Sequence, residues 1–437
     1  MRKFTPWEHM LLTKEYVLKY RAISRFPHKS PDEIATFQLM KITKIVELAY
    51  YGTRFYRNLY GEYGVHPKDI RTWADFKQLP TVTKSDIVNN QLDCIVDARK
   101  ADKNLRVSRS SGSSGQMLEI VADTDRWVQS ALIALRMYRK SLDFGPFSCG
   151  ALIYTSRYPY QSAWGLYRVK YLHTLTPPGE LIEDLLHLRP SFIISYPSIL
   201  LELIAGFPRA CSDLRVSSIA TNSEHSTQQQ RDELSKAFGA PVYDEYSTEE
   251  LIFGGFQCRH GKYHLQEDGA YLEILDVEGP TELEATQLGE IVGTSLIHKA
   301  MPFIRYRQGD LGSITPTACT CGNNGRELSE IDGRKNSNFK LPSGELIPSG
   351  RILDWTYKLV LDHGLPIIQF QIIQKTLRDV EVVVVTRETH FSERHSRIIV
   401  SSFQMQFGHA MRVSVRRVKA IPRTLAGKHI PILSLVE

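Results

Sequence analysis

Hydrophobic positions change their rhythm twice along the 437 residues of the chain. Across DEIATFQLMKITKIVELAYYGTRFYRNLY a helical period sets Ile34, Phe37, Ile42, Ile45, Leu48 and Ala49 on one face, with Gln38 and Lys41 interrupting the stripe. Residues 1 to about 100 therefore read as a helical lead-in. From about Leu105 the texture alternates. NLRVSRS reads as a strand, a Ser/Gly loop follows, LEIVAD reads as a second strand, and Asp123 opens a helix over DTDRWVQSALIALRMYRKSL. Further on, CGALIY, SFIISYP, RVSSIAT and PVYDEYS read as strands, separated by the helical segments ELIEDLLHL, SILLELIAGF and TQQQRDELSKAF. Strand–helix–strand alternation predicts a largely parallel sheet covered by helices.

Residues 270–315 turn β-rich, with AYLEILD, GEIVGTSL and PFIRYRQGDLGSI, and predict a smaller appended sheet. A boundary is expected near IDGRKNSNFK. Beyond it QFQIIQK, VEVVVVT and MRVSVRRVKAI read as strands, with helices around ILDWTYKLVLDHG and SERHSRIIVSSFQMQFG. That suffices for an independent domain of about a hundred residues. The expected fold class is α/β. A large N-terminal α/β domain, 1–332, with parallel sheets and a small β-rich subdomain, precedes a small α+β C-terminal domain, 333–437.

Composition excludes several classes. Hydrophobic residues make up 42%, charged 23% and aromatic 10%, which rules out a disordered or fibrous chain. The net charge of +6 is too thin to mark a nucleic-acid binder. Six unevenly spaced cysteines argue against a disulfide framework. No apolar run approaches the ~18 residues of a membrane span, and MRKFTPWEHMLLTKEY lacks the apolar stretch of a signal peptide. A cytoplasmic protein is expected, without a nucleic-acid partner.

Five segments carry candidate chemistry. In Ser110-Ser111-Gly112-Ser113-Ser114-Gly115-Gln116 small residues let the backbone approach phosphates, and their hydroxyls and N–H groups donate to anionic oxygens. Arg109 stands at its entrance. Tyr246-Ser247-Thr248-Glu249 ends a strand with a ring, two hydroxyls and a carboxylate. Tyr306-Arg307-Gln308-Gly309-Asp310 puts an acid after a Gly turn, where it can accept from two ribose hydroxyls. Asp332-Gly333-Arg334 opens the expected linker, and Pro422-Arg423-Thr424-Leu425-Ala426-Gly427-Lys428 lies near the C-terminus.

In this order the segments resemble those of the adenylate-forming superfamily of acyl-CoA synthetases and adenylation domains, most closely its phenylacetate–CoA ligase branch with capsule-biosynthesis relatives. The resemblance implies that Ser111, Gly112, Ser113, Ser114 and Gly115 close over the ATP phosphates and that Tyr246 packs on adenine. It places Thr248 and Glu249 near the α-phosphate and Mg²⁺, Asp310 on the ribose hydroxyls and Arg334 on the ribose side. Lys428 bridges carboxylate and α-phosphate, delivered by a mobile C-terminal domain that later rotates to admit coenzyme A. Asn222-Ser223-Glu224, at the end of RVSSIAT, resembles the loop that walls the acyl pocket and contacts nucleotide through Ser223 and Glu224. The chain departs from the family pattern in lacking the Gly expected after Tyr246, which leaves open whether Glu249 or Glu250 faces the metal. Asn336 replaces an acidic hinge residue.

Cys258-x5-His264 and Cys319-Thr-Cys321 form two close pairs of soft ligands, a set that suits tetrahedral Zn²⁺ in a filled, structural site, with His260 as an alternative ligand. Cys258 lies nine residues after Glu249 and Cys319 nine after Asp310, so such an ion would staple together the loops bearing both acids. Tyr154, Thr155, Ser156 and Tyr196 sit at strand ends, where open α/β sheets bind ligands, and a Tyr-rich lining would favour an aryl or compact acid. The basic C-terminal strand from Arg412 to Lys419 is a candidate guide for an anionic nucleotide.

The expected activity is ATP-dependent activation of a small carboxylic acid and its transfer to coenzyme A. Transfer to an amine or a carrier protein is the alternative enzymatic outcome, and a nucleotide-binding protein without turnover the non-enzymatic one. A homodimer is left open.

Overall fold

The computed structural model describes residues 6–91, 93–94, 105–109, 118–154, 163–316, 319–334, 337–386, 391–408, 411–424 and 427–436. The chain divides into two compact units. The first comprises Met1–Ser148, Pro159–Arg168 and Tyr243–Ile331, and the second Cys149–Tyr158, Val169–Val242 and Asp332–Glu437.

In the first unit the helical lead-in forms as the periodicity predicts, over Pro6–Arg25, Pro31–Gly52 and Arg54–Glu62. Ser30 and Glu33 close a capping box that starts the second helix. Gln38 does not break the buried face; it belongs to it, donating from Nε2 to the Glu267 carbonyl at 3.0 Å. A polar residue reads as an interruption only until its partner, remote in sequence, is known.

Seven strands follow one another in this unit in the order Ala270–Leu275, Gly289–Ser295, Tyr306–Thr315, Glu327–Arg334, Tyr263–Leu265, Ile252–Gln257 and Val242–Thr248. The β-rich stretch 270–315 therefore does not stand apart. It joins the strand that carries Tyr246 through Ile252–Gln257 and Tyr263–Leu265, elements the sequence pattern did not reveal. Every residue of IFGGFQ is buried, so no polar–apolar alternation marks it. Asp332-Gly333-Arg334 ends the strand Glu327–Arg334 rather than opening a loop.

The lead-in is stitched to the strand of Asp310. Val82 donates to the Arg305 carbonyl at 3.0 Å and accepts from Arg307 N–H at 2.8 Å. Tyr56 donates from Oη to the Pro302 carbonyl and accepts from Ile304 N–H, each at 3.1 Å. Arg305 is fully buried and grips Glu273 with two bonds of 2.9 and 3.0 Å.

In the second unit Cys149–Tyr154, Phe192–Ser195 and Ser218–Asn222 pair parallel. The helices Pro178–Leu188, Pro197–Gly206 and Gln228–Phe238 cover them around a core that includes Ile153, Ile193, Leu203, Ile219 and Phe238. This is the predicted strand–helix alternation. The C-terminal residues add a four-stranded sheet in the order Arg412–Val418, Asp379–Thr386, Ile367–Gln374 and Ile432–Ser434. The helices Ser349–Asp362 and Glu393–Phe407 pack on a separate core of Ile352, Phe370, Val382 and Phe403. The short strand Ile432–Ser434 carries no sequence signal of its own. Among the described residues no helix is long and apolar enough to cross a membrane.

Candidate active site

Tyr246 and Asp310, 64 residues apart in sequence, meet directly. The phenol donates to Asp310 Oδ2 at 2.9 Å. Gly309 precedes Asp310 with φ +75°, a left-handed backbone that glycine adopts without steric cost. Its N–H donates to Glu290 Oε1 at 3.2 Å, and Arg307 binds the same carboxylate through Oε2 at 2.5 Å. The neighbouring acid and guanidinium thus fix the kink from which Asp310 projects. Asp310 is buried rather than in open water.

Thr248, Glu249 and Glu250 follow on the same strand end. Thr248 Oγ1 accepts from Leu251 N–H at 3.1 Å, and the Glu249 carbonyl accepts from Arg126 at 3.0 Å. The two acids differ in setting. Glu250 is buried and its carboxylate accepts from the Tyr306 phenol at 3.2 Å, whereas Glu249 is half-buried. Gly254 was not anticipated as part of this site. A Cβ there would lie 2.5 Å from Tyr246 Cδ1 and 2.7 Å from Cε1, so the ring packs on bare backbone. The signal was present in the Gly254-Gly255 pair inside a strand, which often marks a close approach.

Ser111, Gly112, Ser113, Ser114 and Gly115 lie outside the described residues. The strands flanking them, Arg106–Arg109 and Glu119–Ala122, pair antiparallel, with Arg109 opposite Glu119. Thr155, Ser156, Asn336 and the side chain of Arg334 are likewise outside.

Cys258, His264, Cys319 and Cys321 converge, with their ligand atoms all within 4.8 Å of one another. Cys258 Sγ lies 3.7 Å from Cys319 Sγ, and Cys321 Sγ 3.1 Å from His264 Nε2. With metal–sulfur bonds of about 2.3 Å, tetrahedral geometry puts neighbouring sulfurs roughly 3.8 Å apart, so the donor set and the sulfur spacing fit Zn²⁺. His260 stays outside the cluster and contributes its backbone N–H to Cys258 Sγ at 3.4 Å.

In the second unit the strand Ser218–Asn222 delivers Ser223, at φ +66°, and Glu224. Ser223 Oγ lies 3.0 Å from the Tyr154 hydroxyl, and the Tyr154 ring meets Tyr196 edge-on at 5.2 Å. Tyr196 is fully buried. The Glu224 carboxylate accepts from His429 N–H at 2.6 Å and from Ser198 N–H at 3.2 Å. Burial raises its pKa, partly offset by these donors. Lys428 therefore sits one residue from a loop predicted to contact nucleotide. The His429 ring donates from Nε2 to the Phe370 carbonyl at 2.8 Å, and burial holds its pKa down at about 4, leaving it neutral at physiological pH.

Residues 344–434 match the family model "CapK C-terminal domain". The chain is 27% identical over 352 residues to the phenylacetate–coenzyme A ligase of Escherichia coli (strain K12), covering 73% of this chain and 75% of that protein. The enzyme of the same name from Aromatoleum evansii is 27% identical over 346 residues, covering 73% and 74%. These similarities support the resemblance of the chain to the phenylacetate–CoA ligase branch of the adenylate-forming superfamily. Solved structures share its fold. 2-Hydroxyisobutyryl-CoA ligase in its postadenylation state superposes with a TM-score of 0.78 at 19% identity, covering 94% of this chain and 90% of that one. The same ligase in its thioesterification state gives 0.65 at 19% identity, covering 94% and 92%. Cys258 and His264 stand at the strands that follow the one bearing Tyr246, and Cys319 and Cys321 follow the strand that carries Asp310.

Proposed function

We propose that this adenylate-forming chain is an AMP-forming acid–thiol ligase. A carboxylate oxygen of a small acid attacks the α-phosphorus of ATP, the bond to the bridging oxygen of pyrophosphate breaks, and an acyl-adenylate forms. The sulfur of coenzyme A then attacks the acyl carbon, AMP leaves, and the thiol proton passes to solvent. The observation that carries this reading is the Tyr246–Asp310 bond. A strand-end aromatic ring joined to a buried carboxylate gives a nucleoside a surface to stack on and an acceptor for its ribose hydroxyls.

In this reading Ser111, Gly112, Ser113, Ser114 and Gly115 cradle the phosphates, Ser223 and Glu224 face the nucleotide, and Arg334 lies on the ribose side. Glu249 rather than Glu250 holds Mg²⁺ with Thr248, because Glu250 is already engaged by Tyr306. Such an ion supplies charge neutralisation on the phosphate oxygens. Residues 1–332 act as the adenylation core and 333–437 as a cap that moves between the two half-reactions, bringing Lys428 to the α-phosphate for the first. Cys258, His264, Cys319 and Cys321 hold a structural Zn²⁺, and the protein works in the cytoplasm.

The test is carboxylate-dependent ATP–pyrophosphate exchange over a panel of aryl and short aliphatic acids, followed by addition of coenzyme A. Exchange with at least one acid and thioester formation are expected. Exchange that leads to product only with an added amine or carrier protein would change the acceptor, and no exchange with any acid would overturn the assignment.

A further inference from the structure

We infer that Arg423 is a latch that holds the loop bearing Lys428 against the first turn of the helix Pro197–Gly206, and so serves as a positioning residue for adenylation. This rests on the function proposed above. One guanidinium spans three acceptors. It donates to Ser198 Oγ at 2.8 Å, to Glu202 Oε2 at 3.0 Å, and back to the carbonyl of Gly427, next to Lys428, at 3.3 Å. The planar fork of arginine suits this arrangement, and a lysine ammonium could not reproduce it.

The loop transmits the grip. Thr424 N–H donates to the Lys428 carbonyl at 2.9 Å, Gly427 N–H to the Thr424 carbonyl at 2.8 Å, and Lys428 N–H to Thr424 Oγ1 at 3.1 Å. The backbone of Lys428 is thereby tied to the residue beside Arg423. On the other flank His429 N–H binds Glu224, whose second oxygen accepts from Ser198 N–H. Ser198 is the common anchor, because in the first turn of its helix its N–H has no partner within the helix.

The contact is also built to release. The apolar core under the parallel strands and the apolar core of the C-terminal sheet are separate clusters, and polar groups join them here. Glu202 is 43% exposed, so water can replace its bond to Arg423.

The experiment compares the full-length protein with Arg423→Ala, Arg423→Lys and Glu202→Ala. Hydrogen exchange of peptides covering 420–432 and 393–407 is read first. The former is expected to exchange faster in Arg423→Ala and the latter to stay unchanged. Acid-dependent pyrophosphate exchange is expected to fall at least tenfold in kcat in Arg423→Ala with KM for ATP within twofold, and to lie between the two in Arg423→Lys and Glu202→Ala. Conversion of supplied acyl-adenylate and coenzyme A to thioester should stay within twofold. Equal losses in both half-reactions, undiminished pyrophosphate exchange, or unaltered hydrogen exchange over 420–432 would overturn the latch. If the unaltered protein activates no acid, the proposed function fails instead, and the hydrogen-exchange comparison alone decides whether Arg423 holds the loop.

Discussion

Tyr246 reaches Asp310 across a patch of backbone that only a glycine can provide. With Cβ of an alanine 2.5 Å from its Cδ1, the ring must shift and the bond to Asp310 is strained or lost. Gly254→Ala is expected to raise KM for ATP about tenfold, or ~1.4 kcal/mol, near the lower end of what a hydrogen bond to a charged group contributes, while far-ultraviolet circular dichroism stays unchanged. An unaltered KM would show that the ring is not a nucleotide contact. Tyr246 and Asp310 were legible in the sequence because each stands in a family-like segment, although Asp310 lies within the strand Tyr306–Thr315 rather than at its end. The dependence of one on Gly254 was not, since the strand Ile252–Gln257 that brings Gly254 against the ring did not show in the sequence pattern. Arg305 makes the complementary case for stability. Arg305→Met leaves Glu273 buried without its partner, and a loss of roughly 3–5 kcal/mol is expected. The double variant with Glu273→Leu should recover part of it, as read from the midpoints of denaturant unfolding. A single variant as stable as the parent would contradict the pair's role.

Two antiparallel elements meet at the Cys/His cluster. The turn after Ile252–Gln257 supplies Cys258, Tyr263–Leu265 supplies His264, and the segment between Tyr306–Thr315 and Glu327–Arg334 supplies both remaining cysteines. Purified protein is therefore expected to carry about one zinc per chain. Chelation should lower the thermal midpoint by roughly 5 °C or more and raise KM for ATP, because the stapled loops lead to Glu249 and Asp310. Elemental analysis with no stoichiometric zinc would remove the staple. The four clustered residues were legible from soft-donor spacing and the family resemblance, and so was most of the second unit, whose strands are short apolar runs bounded by turn residues. Ile252–Gln257 escaped because it is buried throughout, and Arg168–His173 because its exposed and half-buried residues mix charge with apolar positions. Gln38 shows the same limit for helices: its buried partner is the backbone of Glu267, 229 residues away.

For the molecule as a whole, the C-terminal residues pack around a core of their own, and the adenylation chemistry asks them to deliver one ammonium group. The order of motifs suggested that proposed role, whereas the contacts of Arg423 and Glu224 at the loop depend on where the helix Pro197–Gly206 lies in space. The most direct measurement is acid-dependent ATP–pyrophosphate exchange by Lys428→Ala, with ATP affinity determined on the same sample. Exchange is expected to fall at least a hundredfold, about 2.7 kcal/mol of transition-state stabilisation, with the Kd for ATP within threefold of the parent. Undiminished exchange in that variant would contradict the assignment of Lys428 as the group that acts on the α-phosphate.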